Sequence, residues 1–459
     1  MTGQGERMPR RGLALTVLIV NQLLAGAGVA TGMALAAILT ADLTDTVAMG
    51  GLAQSSSVLG AAIVAIPLAR LAVRAGRHVA LATGYALAFG GAVLVVAAAT
   101  SGMPVLVFLG LAAFGAASAA GLQARFAGTE VAAPGFEARS MSLVLWATTI
   151  GSVAGPLLSE SGDEFGQALG LPPLVGPFVF SAVAFALSAL LVGTLLRTPR
   201  AGHLAVDPSA PAPDEPSARP DVGDPAVALD ASLDASLDTS PDASPDASPG
   251  VQPDASPAKV GAWAALTVAL RNPRALVAFL AIVCSHTVMV GVMVMTPLHM
   301  TEHGLSISLV GVVLSIHILG MYGASPLMGW LSDRIGSERV IALGAALLIS
   351  ATVIGILAPV DSLLVLMPFA LGLLGLGWSA GLIGGSTLLT TSVDEPLRVP
   401  LQGATDASMN IAAAASAALS GVVLGVGGFA GVNVVAIFVL VPLAIAGLRA
   451  RVLARSAAA

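Results

Sequence analysis

Asp406 stands four residues after Gln402 and four before Asn410. In a helix that spacing puts one acid between two amides on a single face. The stretch around it is apolar, and a carboxylate at membrane depth is costly enough to mark a function or a compensating contact. Three roles fit Asp406: steadying the positive N-terminal end of its own helix, pairing with a loop arginine, or carrying a proton or touching a substrate. His286 and His317 are the protonatable groups of two other apolar runs. Each can serve as a packing residue or as a proton relay. Asn21, Gln22 and Gln54 are uncharged amides at similar depth. They suit a cavity that binds an amphiphile without a fixed counter-ion, and equally suit bonding between helices. Arg125, near Gln123 and Glu130, is the base at the end of the fourth apolar run.

No catalytic constellation accompanies these groups. The chain has no Walker phosphate loop, no nucleophile elbow and no paired carboxylates in an apolar setting, so an enzyme is not expected, nor a cofactor or a nucleic-acid partner. His299-x-x-Glu302-His303, with Met295 and Met300 nearby, has a metal-ligand spacing. It lacks a hydrolase scaffold and an evident third ligand, so no metal is expected there. Cys284 is alone and excludes an intramolecular disulfide.

The elements that must hold these residues are membrane helices. Of 459 residues 56% are apolar and only 10% charged, with a mean hydropathy of +0.91. A soluble fold has too much exterior to be covered by so few charges. Runs of spanning length fall at 13–39, 48–70, 79–99, 103–125, 139–159 and 173–196, then at 275–298, 305–328, 339–359, 361–388, 401–426 and 430–448. Each is near the ~20 residues that cross ~30 Å of hydrocarbon. The first run follows Arg7, Arg10 and Arg11 and is too long for the core of a signal peptide. It is expected to act as an uncleaved insertion signal.

Six runs, a break and six more predict an all-α membrane protein with a short tail (1–12), an N-terminal six-helix bundle (13–197) and a C-terminal one (275–449), ending in a tail (450–459). The break at 198–258 is rich in Pro, Ala, Ser and Asp, with Asp at 230, 234, 238, 242 and 246. Pro241, Pro245 and Pro249 share that four-residue period and would break any helix. The composition reads as a disordered acidic tether, with a regulatory tail as the other reading. Eleven of the 26 acids lie between Asp207 and Asp254 against one base, Arg219; the rest of the chain holds 15 acids against 19 bases. The net charge of −6 therefore belongs to the linker. Residues 259–274 look like an amphipathic helix in the interface, ended by Pro273. With both termini in the cytoplasm, every Lys and Arg falls on the inner side, while Asp42, Asp45, Glu160, Asp163, Glu164, Glu302 and Asp361 fall outside. That is the positive-inside bias, and it predicts a multi-pass inner-membrane protein.

Charge gathers in one further place. Gly329-Trp330-Leu331-Ser332-Asp333-Arg334-Ile335-Gly336-Ser337-Glu338-Arg339 is a charged turn between two apolar runs. It resembles the G-x-L-(A/S)-D-R-x-G-x-x-R loop of the major facilitator superfamily. A degraded copy at 69–78 keeps Leu71, Ala72, Arg74, Gly76 and Arg77, but has Ala69 for the Gly and Val73 for the Asp. In the fifth run, Gly151-x-x-x-Gly155-Pro156-x-x-Ser159 resembles the helix 5 motif of that superfamily's exporters, above all drug/proton antiporters, with Ser159 and Glu160 where they have Gly-Gly. The helix 4 Arg usual in proton-coupled exporters is absent: Leu111 stands four residues before Gly115. The resemblance implies two six-helix bundles that rock around a midplane site, with the 329–339 and 69–78 loops gating the inner face. It also implies a monomer in the lipid bilayer that exports a small organic or amphiphilic compound in exchange for protons. Uniport or symport of a polar metabolite, and a non-transporting sensor or scaffold with the same fold, stay open beside it. Asp406 paired with Arg74 or Arg77 would make good the missing acid at Val73.

Overall fold

A computed structural model describes residues 11–131, 137–196, 262–359 and 362–458. The acidic linker of 198–258 and nearly all of the N-terminal tail lie outside the described residues, as do the side chains of Val73 and Arg125.

The first half folds as α1 (Arg11–Thr44), α2 (Val47–Ala75), α3 (Arg77–Thr100), α4 (Pro104–Phe114), α5 (Ala116–Glu130), α6 (Glu137–Leu157), α7 (Ser159–Ala168) and α8 (Gly176–Leu195). After the linker come α9 (Ala262–Ala269), α10 (Pro273–Glu302), α11 (Ile307–Ile318), a π-helical turn (Leu319–Gly323), α12 (Ser325–Ile335), α13 (Ser337–Leu357), α14 (Leu363–Thr391) and α15 (Glu395–Ala458). Helix is the secondary structure such apolar runs must take, because it satisfies every backbone group within the segment.

Among the described residues nine helices are long and apolar enough to cross a membrane, and the bent pair α11–α12 makes a tenth. One of the nine, Leu401–Leu453, is 53 residues long. At 1.5 Å per residue it spans roughly 80 Å, too much for one pass. It breaks at Gly428 (φ 63°, ψ −171°), so α15 is two passes joined at a glycine only a Cβ-free residue accommodates. With one pass running from α4 into α5 and the 21 residues of α6 making another, the described residues make six passes before the linker and six after it.

Several boundaries differ from expectation. The tail at 450–459 continues α15 to Ala458. Glu160, Asp163 and Glu164 lie not in a loop but in α7. There Asp163 is buried and accepts hydrogen bonds from the Leu174 amide and Gln167 Nε2. Pro273 does not end the interfacial helix. It opens α10, whose first turn is capped by Asn272 Oδ1 accepting from Arg274 N. Pro at a helix start gives up only an N–H that would be orphaned anyway. The shorter α9 buries Ala265, Leu266 and Ala269 while Trp263 stays exposed.

Each half has a core, and that of the second half takes in Leu35 and Ile38 of α1. In the first, Phe114 meets Phe178 and Phe185 edge-on at 5.9 and 5.0 Å between ring centroids. In the second, Met295, Met367, Leu371 and Leu374 are fully buried on α10 and α14. The two charged turns reveal the internal repeat most clearly. Gly76 (φ 96°, ψ 156°) is the single residue between α2 and α3, and Gly336 (φ 90°, ψ 145°) the single residue between α12 and α13. Gly76 N bonds Ala72 O at 3.1 Å and Gly336 N bonds Ser332 O at 3.0 Å. One backbone solution is used twice, 260 positions apart.

Candidate functional site

The first described residue and the last lie on one face of the bundle, here the terminal face; the turns at 44–47, 302–307 and Gly428 define the distal face. Contacts between the halves gather towards the distal face. α2 packs on the first arm of α15, where Gly51 abuts Ala417 O and Gly421 abuts Ala48 O. Ser55 Oγ donates to Ala414 O at 2.8 Å across the same seam. A second seam joins α6 to α11: Gly311 lies against Pro156 O, and Ser315 Oγ donates to Val153 O at 2.7 Å. Small residues let the backbones meet, and hydroxyls give each close approach a hydrogen bond. Nearer the terminal face Arg70, Arg74, Gln402, Asp406 and Asn410 are exposed. The halves close at the distal end and part towards the terminal one.

Just inside the closed end lies a cavity of about 90 Å³ between the halves, walled by α1, α2, α6, α10 and α11. Its one polar lining residue is Gln54; Met33, Pro156, Met293 and Leu314 are among the others. Two turns back along α10 from Met293, on the same face, is His286. On the α11 pass, Tyr322 continues the stripe of Leu314 and Ile318 through the π turn. Such π turns recur at functional sites because they re-aim side chains. Trp378 of α14 joins the two: its Nε1 donates to His286 Nδ1 at 2.8 Å, and its ring meets Tyr322 edge-on at 5.5 Å. Because His286 Nδ1 accepts, a neutral His286 carries its hydrogen on Nε2. Protonating Nδ1 would break the Trp378 bond. The cluster offers two aromatic faces and a neutral N–H donor, and no charged side chain belongs to it.

The other candidates fall elsewhere. Asn21 and Gln22 are buried within the first half. Asn21 Nδ2 donates to Tyr85 Oη (3.1 Å), Tyr85 Oη to Gln22 Oε1 (3.0 Å) and Gln22 Nε2 to Thr148 Oγ1 (2.8 Å). These bonds tie α1 to α3 and α6. Asn21 Oδ1 is buried without a partner among the described residues. Gly151 and Gly155 let α6 approach α1: Gly151 abuts Leu23 O, and a Cβ on Gly155 would come 2.7 Å from Ala27 O. Pro156 then precedes the break between α6 and α7. His317 is fully buried, its Nδ1 2.9 Å from Leu371 O on α14. Its Nε2 has no partner among the described residues. His299 stacks on Phe429 at 4.4 Å.

Asp406 borders a small pocket with Ser386, Thr390, Arg398 and Gln402, all of the second half. Asn410 donates back to Asp406 O. Arg77 donates to Gln123 Oε1 at 2.9 Å. In the 329–339 turn, Asp333 is exposed and makes no hydrogen bond or ion pair among the described residues. Arg334 lies over the Trp330 ring at 5.3 Å, and Ser332 Oγ and Ser337 Oγ are 2.9 Å apart. The ion pair near this turn joins Glu338 to Arg274 at 3.0 Å. Of the groups expected to clasp the halves there, Arg74 and Asp333 are exposed, while Arg77 is half-buried against Gln123.

Sequence reasoning missed Trp378, Tyr322, Tyr85 and Thr148. The signal was scarcity: the chain has only two Tyr and four Trp. Each is an aromatic with a polar tip that needs a partner when it sits in an apolar run.

The profile of the Major Facilitator Superfamily matches residues 18–308 and 278–458. YdeG, described as an uncharacterized MFS-type transporter of Bacillus subtilis (strain 168), is 32% identical over 410 residues, covering 89% of this chain and 85% of its own. The riboflavin transporter RfnT of Brucella anthropi is 27% identical over 449 residues, covering 97% of both. Among solved structures, a bacterial homologue of the human lysosomal transporter Spinster, inward-facing and occupied, superposes with a TM-score of 0.65 at 16% identity, over 98% of both chains. The nucleoside transporter NupG gives 0.64 at 15%, over 96% of this chain and 98% of its own. The chain belongs to the Major Facilitator Superfamily and has its fold; it is a membrane transporter of that type.

Proposed function

We propose that this member of the Major Facilitator Superfamily moves a small, uncharged or amphiphilic organic compound by alternating access, exporting it in exchange for protons. The observation that carries the reading is the uneven seam. Two glycine-lined contacts close the distal end, while the terminal side of the same helices is exposed. The cavity with Gln54 and the His286–Trp378–Tyr322 cluster lie between. On the charge bias of the loops the distal face is the outer one, and the conformation is then inward-open. Export rests on the likeness of Gly151, Gly155 and Pro156 to the exporter motif.

His286 is a substrate contact in this reading rather than the proton carrier, since Trp378 holds its Nδ1. Asp406 is the carrier we assign. In the opposite state it would meet Arg74 or Arg77 as the terminal face closes, filling the place of the acid missing at Val73. A second reading is favoured by the cluster itself. Aromatic faces beside a neutral donor suit a planar heteroaromatic solute, and RfnT is named for one. Such a metabolite could move by uniport or symport.

Proteoliposomes with an internal pH-sensitive dye and an imposed proton gradient test both. A panel of lipophilic cations, neutral drugs, flavins and nucleosides is added, with solute uptake measured in parallel. Substrate-dependent proton flux that Asp406→Asn abolishes is the expected result. Solute movement without proton flux overturns the coupling, and no response to any compound overturns transport in favour of a scaffold.

A further inference from the structure

Away from the seam, α10, α13 and the second arm of α15 enclose a groove of about 480 Å³. It exists because small residues face each other across it: Ala342, Ala345 and Ala346 on α13, Ala444 and Gly447 on α15. Its walls are otherwise aliphatic, and its charged lining residues all sit at one end. Arg274 is the second residue of α10, Glu338 the second of α13, and Arg451 lies near the end of α15. From Glu338 to Ile349, the deepest lining residue of α13, is eleven residues, or roughly 16 Å of helix. That is about half of a ~30 Å hydrocarbon core, the depth of one leaflet.

The mouth of the groove continues into a second hollow of about 370 Å³, which shares Arg274 and Glu338 and adds Arg339 and the Gly336–Ser337 backbone. Glu338 is already bonded to Arg274. Arg339 and Arg451 are exposed and have no ion-pair partner among the described residues. The first turn of α13 has no side-chain cap, so its free amides point to the same place. Three guanidinium groups against one carboxylate leave the mouth positive, above a slot with no charge in it.

We infer that this groove binds an anionic phospholipid from the leaflet on the terminal face. One acyl chain lies along Ala342, Ala346 and Ala444, and the phosphate sits between Arg451, Arg339 and the start of α13. A zwitterionic lipid could fill the slot, but its own cation would oppose the arginines.

The test is native mass spectrometry of the full chain released from detergent with equal phosphatidylglycerol and phosphatidylcholine. Phosphatidylglycerol should be the retained adduct. Each of Arg451→Gln and Arg339→Gln should lower its occupancy about fivefold, the effect of one surface arginine on an anionic lipid. Ala346→Trp, which fills the slot and leaves the mouth intact, should remove the adduct, and glycerol phosphate should not compete. Equal retention of the two lipids, or undiminished phosphatidylglycerol binding by Arg451→Gln and Ala346→Trp proteins of unchanged melting temperature, overturns the proposal. So does competition by glycerol phosphate, which would make the mouth a plain phosphate site.

Discussion

At the scale of single residues, the bond between Trp378 and His286 decides how the cluster can act. A histidine whose Nδ1 accepts from an indole has a fixed tautomer and a fixed ring plane, so its Nε2–H is held in one direction. Trp378→Phe keeps the aromatic face and removes the donor. A neutral hydrogen bond contributes about 1 kcal/mol, so the expected result is a KM raised about fivefold with kcat little changed. Equal loss in kcat would place the pair in the conformational step instead. Asp406 has a different test, because its expected partner is on another helix in another state. Asp406→Asn should abolish proton-coupled transport, and adding Val73→Asp should restore gating but not proton flux. A double mutant with no transport at all, measured as solute uptake at equal expression, refutes the pairing.

At the scale of elements, the two charged turns carry the clearest prediction. Gly76 and Gly336 occupy nearly the same positive-φ conformation, in a region that essentially only glycine enters. No heavy atom lies within 4 Å of a Cβ placed on Gly336, so the cost of Gly336→Ala is backbone strain alone, about 1–3 kcal/mol. It should lower the melting temperature of the purified protein measurably. Exposed Asp333, replaced by Ala, should leave the melting temperature unchanged and slow transport. These turns were legible in the sequence because a glycine between charged residues, flanked by long apolar runs, leaves few alternatives. All twelve passes were legible for the same reason: a run long enough to cross hydrocarbon has only helix available to it. The breaks inside passes were not. Gly115 and the end of α6 look like any other glycine- or proline-bearing stretch until a neighbouring helix is in place. α7 was hidden by its polarity, since acids after an apolar run read as loop, and only the packing of Asp163 shows otherwise. The cluster was half legible. His286 stood out as a protonatable group, but Trp378 lies 92 positions away and nothing local links the two.

At the scale of the whole molecule, function depends on the seams being reversible. At the distal end the halves meet through glycine, alanine and serine where α2 faces α15 and α6 faces α11, and through Leu35 and Ile38 of α1, which pack with the core of the second half. Helix pairs of this kind are held by van der Waals contact and a few hydroxyl-to-carbonyl bonds, a strength suited to opening and closing rather than to permanent union. If the distal seam must close as well as open in each cycle, wedging it apart stops transport without touching the site. Gly421 is placed for this: a Cβ there would lie 2.5 Å from Ala48 O and 3.1 Å from Ala48 Cα, so any side chain has to push α2 and α15 apart. The Gly421→Leu protein should lose solute uptake in proteoliposomes, while Gly425→Leu on the same arm, where a Cβ meets nothing within 4 Å, should keep it. Uptake by Gly421→Leu protein of unchanged melting temperature would mean that the halves need not close at this point and that the path runs elsewhere. The α6–α11 seam at Gly311 and Pro156 would then be the next place to wedge, since it joins the halves at the same end.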